Sequence, residues 1–149
     1  MYVKTHPPVT ILYSRHQTTI PQLSQFVGNV VKELYAEAVQ HNVLISGAPI
    51  WIYHGADGKP DTVFTLDIAI PIQGHLESSR FAIKQLQPFK AVTHTHEGTW
   101  SSLTNTYQEI MQHIDANKIP MNEECREVYL NIDFQQPEYN VTQVQMGVL

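Results

Sequence analysis

The chain has 149 residues, 42% hydrophobic and 15% charged, with a formal net charge of −5. This is the composition of one folding globular domain with a sizeable core, not of a disordered tail. It excludes direct nucleic-acid binding, since no Lys/Arg run can neutralise a row of phosphates; the single cysteine, Cys125, excludes an intrachain disulfide; and no segment reaches the roughly 20 apolar residues of a membrane span.

The opening MYVKTHPPVT has no apolar run of the secretory type, so a cytoplasmic location is expected. The first strand is predicted over VTILYSRH (9–16). A helix follows over 20–40, where Ile20, Leu23, Phe26, Val27, Val30, Val31, Leu34, Tyr35 and Ala38 share one face and Thr18, Thr19 and Pro21 supply a start signal. Strands are predicted over PIWIYH (49–54), TVFTLDIAIPI (62–72), FAIKQL (81–86) and KAVTHTHE (90–97), with turn formers between them. Gly98 and Thr99 open a second amphipathic helix over 99–118, carrying Trp100, Leu103, Tyr107, Ile110, Met111 and Ile114. CREVYLN (125–131) and NVTQVQMGVL (140–149) complete the strands.

An internal repeat organises these elements. Setting HQTTIPQL (16–23) on HEGTWSSL (96–103) matches the helix faces position by position: Leu23 with Leu103, Val27 with Tyr107, Val30 with Ile110, Val31 with Met111, Leu34 with Ile114. The strands after each helix match too, PIWIYH with REVYLN and TLDIAIPI with TQVQMGVL. The expected fold is therefore α+β: one domain over 1–149 built as a tandem β-α-β-β repeat, halves roughly 5–75 and 80–149. The halves should be related by a pseudo-two-fold axis, with two helices covering one face of an antiparallel sheet. Ile50, Ile52, Val128 and Leu130 are expected to meet the helices. Strand parity then places Trp51, Tyr53, Glu127 and Tyr129 together on the opposite, concave face. Three aromatic rings and one carboxylate can bury a flat ligand and neutralise a positive charge on it.

The stretches GAPIWIYHG, TLDIAIPI, AVTHTHEGTWSSL, CREVYLN and VTQVQMGVL resemble the gyrase-inhibitor-like (GyrI-like) small-molecule-binding domain. That domain is also the effector-binding module of multidrug-sensing transcription activators of the AraC and MerR types. The resemblance covers about residues 3–149. It implies two β-α-β-β units around a pseudo-two-fold and a pocket glutamate on the penultimate strand, at Glu127. Tyr129 matches the tyrosine two residues on, and Trp51 and Tyr53 match the aromatic wall of the first half. The sequence departs from the family at HEGTWSS, where Thr99 and Trp100 replace an often-seen Gly-Pro-Tyr, and at MGVL, where Ile-Pro-Val is common. Ligand identity therefore does not transfer.

Other constellations carry less. His94 and His96 form an H-x-H that puts two imidazoles on one strand face, a spacing metal sites use. No further Cys/His cluster stands near, and the repeat aligns His96 with His16 in a strand-end role, so no metal is expected. Cys125 shares the strand face of Glu127 but lacks an adjacent base, so an inert thiol is expected. No phosphate loop, nucleophile elbow or zincin motif is present, and no cofactor is expected. Trp100 can form the pocket rim or pack in the core. The leading expectation is a stand-alone binding protein for amphipathic aromatic, often cationic, compounds, serving in sensing or sequestration through Trp51, Tyr53, Trp100, Glu127 and Tyr129. A second reading, implied by the resemblance, is a hydrolase of cyclopropane-type electrophiles, with Glu127 as general base and Tyr129 assisting. A third is an interaction protein that contacts DNA gyrase or a regulator.

Overall fold

The computed structural model describes residues 1–77 and 80–149. In chain order it contains β1 (Tyr2–His6), β2 (Val9–Thr18), α1 (Asn29–Gln40), β3 (Leu44–Ile45), β4 (Ile50–His54) and β5 (Phe64–Gln73). Then come β6 (Ala82–Leu86), β7 (Phe89–Glu97), α2 (Leu103–Ala116), β8 (Met121–Asn131) and β9 (Val141–Val148). Among the described residues no helix is long and apolar enough to cross a membrane.

The strands form one antiparallel sheet in the order β1-β7-β9-β8-β4-β5-β2-β6, with β3 paired to β5. The order is symmetrical about the β8–β4 pair: β9 matches β5, β7 matches β2 and β1 matches β6. Register locates the axis. Trp51 lies directly opposite Glu127, and Tyr53 opposite Cys125. The symmetry-related backbone bond, Tyr129 N–H to Pro49 C=O, is also made, at 3.0 Å. The axis thus runs through the Trp51–Glu127 pair, with Tyr53 and Tyr129 as equivalents on either side.

Two expectations are corrected locally. The helix anticipated over 20–40 is divided: Ile20–Phe26 is a 3-10 segment, and α1 begins only at Asn29. The reason is Gly28, whose φ of 79° lies in the left-handed region that only glycine enters cheaply. The first strand is β1, ahead of residue 9; its YVKTH is mostly exposed and pairs only with β7, so no alternation of buried residues announces it.

A third correction concerns the faces. The side chains expected to meet the helices lie on the far side of the sheet. Ile50 and Ile52 pack there with Ile11, Ala69 and Leu86, and Leu130 is exposed. The helices cover the face of Trp51, Tyr53, Glu127 and Tyr129 instead. Curling explains this. β6 and β7 are joined by two residues yet lie near opposite ends of the strand order, so the sheet bends until its far face largely closes on itself. Leu86 packs with Ile50 and Ile52, and the Arg126 guanidinium sits 3.8 Å from the Phe89 ring centroid. The near face, left open by the bend, needs the helices.

Each helix packs on the outer strands of its own half. Leu34 and Ala38 of α1 meet Leu12, Leu66, Ile68 and Ile70, while Ile110 and Ile114 of α2 meet Val92, Val144 and Val148. Most of these side chains are inaccessible to solvent, and each fully buried aliphatic contributes about 1.5–3 kcal/mol. The central strands β4 and β8 are left in the gap between the two helices.

Candidate functional site

That gap is a cleft of about 1080 Å³, at the upper end of the size usual for small-molecule sites. Its floor is the β4–β8 seam with Trp51, Tyr53, Cys125, Glu127 and Tyr129. Val31 and Tyr35 of α1 form one wall, Leu103, Tyr107 and Met111 of α2 the other. Trp100 lines one end, together with Phe134 from the loop before β9.

Glu127 is 6% exposed. Tyr53 donates a hydrogen bond to its Oε1 at 2.9 Å, and Tyr129 donates to the same oxygen at 2.6 Å. Tyr107, reaching down from α2, donates to Oε2 at 2.5 Å. Three phenols therefore replace the water an exposed carboxylate would hold. Among the described residues no arginine, lysine or histidine pairs with it; the ion pairs all lie elsewhere. The phenols remain donors at any physiological pH. Burial, then the negative Glu127, push Tyr53 and Tyr129 well above the ordinary tyrosine range, and burial with the neighbouring Cys125 and Glu127 does the same for Tyr107. The Cys125 thiol, 3.4 Å from the Tyr107 hydroxyl, is pushed up to about 12 by burial and by Glu127. A thiol that does not ionise is no nucleophile.

The aromatic wall is continuous. Trp51 meets Tyr129 edge-on with centroids 5.8 Å apart, Trp100 meets Tyr129 at 5.7 Å, and Phe134 meets Trp100 at 6.0 Å. The lining also includes Asp57, Glu123 and Glu124 against Lys32, so its charged groups are mostly acidic. All five residues expected at the site, Trp51, Tyr53, Trp100, Glu127 and Tyr129, line this one cleft. His94 and His96 do not. His94 contacts Glu109 on the surface, while His96 spends its ring nitrogens on Thr106, Ser102 and the Thr99 carbonyl. Among the described residues no cluster of metal-ligating side chains occurs.

Sequence reasoning missed Tyr107, Phe134 and the α1 wall because it placed the cleft on the other face. A signal for Tyr107 existed: it stands where the first half has Val27, and a phenol on a core-facing helix position needs an acceptor.

A family model for the GyrI-like small molecule binding domain matches residues 1–148. The chain belongs to that family. The sequence matches no curated protein. Solved structures share the fold at low identity. The EcmrR C-terminal domain is 17% identical with a TM-score of 0.83, over 99% of this chain and 96% of that one. SAV2435 bound to tetraphenylphosphonium is 13% identical with a TM-score of 0.68, covering 99% and 93%. A hydrolase from Listeria innocua is 15% identical with a TM-score of 0.66, covering 99% and 91%. In its DNA complex EcmrR is a longer protein, of which this GyrI-like chain spans 56%.

Proposed function

We propose that this GyrI-like chain is a single ligand-binding domain for amphipathic, aromatic and cationic small molecules, acting in sensing or sequestration in the cytoplasm. The observation that carries the reading is Glu127: a buried carboxylate, held by three phenols, with no basic partner among the described residues, on the floor of an aromatic cleft. A lone buried anion is costly, and a ligand cation offsets that cost where no protein cation does. Trp51, Tyr53, Tyr129 and Trp100 supply the ring edges and faces that a flat cation meets. SAV2435 was solved with tetraphenylphosphonium, a compound of this class. The expected outcome for Glu127→Gln is an affinity loss of about 30-fold or more for a planar cation such as ethidium. For a neutral aromatic of equal size the change stays within about threefold. Titration calorimetry measures both, and equal losses for the two ligands would sink the reading.

Hydrolysis is the second reading. A carboxylate beside phenols that stay protonated is a base next to acids, the pairing water addition requires, and one neighbour is described as a hydrolase. Mass spectrometry of a cyclopropane-bearing electrophile incubated with the protein separates turnover, a gain of one water per molecule, from binding with the compound unchanged. A gyrase-inhibitor-type interaction with a protein partner is a third reading; among the described residues no surface feature singles out that partner.

A further inference from the structure

Among the described residues two buried side-chain polar atoms have no hydrogen-bond partner: Trp100 Nε1 and Thr142 Oγ1. Both are neighbours of Tyr129, but only Trp100 lines the cleft; Thr142 sits beside that tyrosine in the sheet. Thr142 is fully buried and lies directly opposite Tyr129 in the β8–β9 ladder, so its side chain is on the face of Tyr129. Trp100 packs edge-on against the Tyr129 ring. Buried donors are almost always satisfied, and one left bare costs as much as a lost hydrogen bond. Of the two, Trp100 belongs to the cleft lining, so its bare indole N–H is the one a partner from outside the chain can satisfy.

We infer that the Tyr129 end of the cleft is an acceptor subsite, in which the Trp100 indole N–H donates to a carbonyl or ether oxygen of the bound molecule. This rests on the binding function proposed above and narrows its ligand class. The molecule carries an uncharged hydrogen-bond acceptor at one end, in addition to whatever meets Glu127. Glu127 and the acceptor subsite are chemically distinct. The carboxylate offers no donor, its three phenols are already committed to it, and the indole offers only a donor. The indole N–H is covered in the free protein, and the inferred access is past Phe134, the most exposed of the rings lining the cleft at 66%, which packs edge-on with Trp100. Moving that ring uncovers little buried surface.

The test uses two neutral probes of nearly the same shape, 9-fluorenone with its carbonyl and fluorene without. The chain has two tryptophans, so indole-15N labelling gives two N–H resonances, and Trp100→Phe identifies which is which. Fluorenone should move the Trp100 indole proton downfield while fluorene leaves it near its free position. Fluorenone should also bind wild type about tenfold more tightly than fluorene, an advantage that falls to about twofold or less in Trp100→Phe. An unmoved Trp100 resonance at saturating fluorenone overturns the inference, as does a carbonyl preference that survives in Trp100→Phe. If neither probe binds while ethidium does, the acceptor subsite is refuted and the cation-binding function stands. If ethidium fails as well, the binding function falls and takes the subsite with it. The shift is read on the wild-type protein, and Trp51→Phe assigns the same two resonances by difference, so that readout does not depend on Trp100→Phe folding.

Discussion

At the scale of single residues, the site is an anion whose solvent has been replaced by phenols. Tyr53 and Tyr129 share Glu127 Oε1 and are pseudo-symmetry equivalents, so the repeat itself builds two of the three donors. Tyr107 breaks the symmetry: its counterpart is Val27, and it alone serves Oε2. Removing its hydroxyl leaves a buried charge short of a donor. Tyr107→Phe is therefore expected to lower stability by about 1–3 kcal/mol in chemical denaturation. In the Glu127→Gln background the same change should cost less than half as much, because the charge it serves is gone. An additive double mutant would mean that Tyr107 stabilises through its ring alone. Glu127 was legible in the sequence because the repeat sets its strand against the aromatic PIWIYH, which puts the carboxylate on one face with Trp51, Tyr53 and Tyr129. Tyr107 was not, because one phenol in a run of helical apolar positions reads as core until its acceptor is located.

At the scale of elements, the strand pairings hold because their two faces are differently bound. On the cleft side α1 presses Leu66, Ile68 and Ile70 of β5; on the far side Asp67 of the same strand is fully buried and ties three neighbours to it. Arg15 of β2 bonds it through two nitrogens at 2.7 and 2.8 Å, Lys84 of β6 reaches it at 3.0 Å, and His54 of β4 at 3.2 Å. Burial alone would push this carboxyl up. The hydrogen bonds from Arg15, His54 and Lys84 outweigh it and hold Asp67 well below the ordinary carboxylate range. With the folded pKa depressed, the contribution is fully present above the unfolded value of about 3.9 and is lost as pH falls through the folded value. Asp67→Asn is thus expected to cost about 2 kcal/mol at pH 7, a figure kept modest because Arg15 is half exposed. Urea titrations should show that deficit shrinking below about pH 4; a deficit independent of pH would assign it to packing. Most strands could be read from their β-branched runs. The curl could not, since it depends on a two-residue link between strands at opposite ends of the sheet, and that error inverted the face assignment. The departure at MGVL also finds its reason only in three dimensions. A Cβ on Gly147 would fall 2.1 Å from Asn122 Oδ1, beside the register shift in β8 between Met121 and Cys125.

At the scale of the whole molecule, the halves meet along one strand pair and face each other across one cleft. Each helix is anchored to the outer strands of its own half, and the ligand volume is what remains between them. A bound molecule therefore touches both halves through α1, α2 and the β4–β8 seam, while the Asp67 network lies behind the sheet. Binding to the native state alone stabilises by about 2.7 kcal/mol at a ligand concentration one hundred times Kd. For a chain of this size that corresponds to a rise in Tm of about 5–10 °C. Its distribution is the sharper expectation. With saturating ethidium, hydrogen exchange should slow in residues 27–35 and 103–111 together, and along 51–53 and 125–129. Exposed β1, which pairs only with β7, should exchange as before. Protection confined to one helix would mean that the ligand occupies a site within one half and that the axis through Trp51 and Glu127 is not where molecules bind. Protection of both helices with the seam unchanged would place the ligand at the mouth of the cleft, out of reach of Glu127.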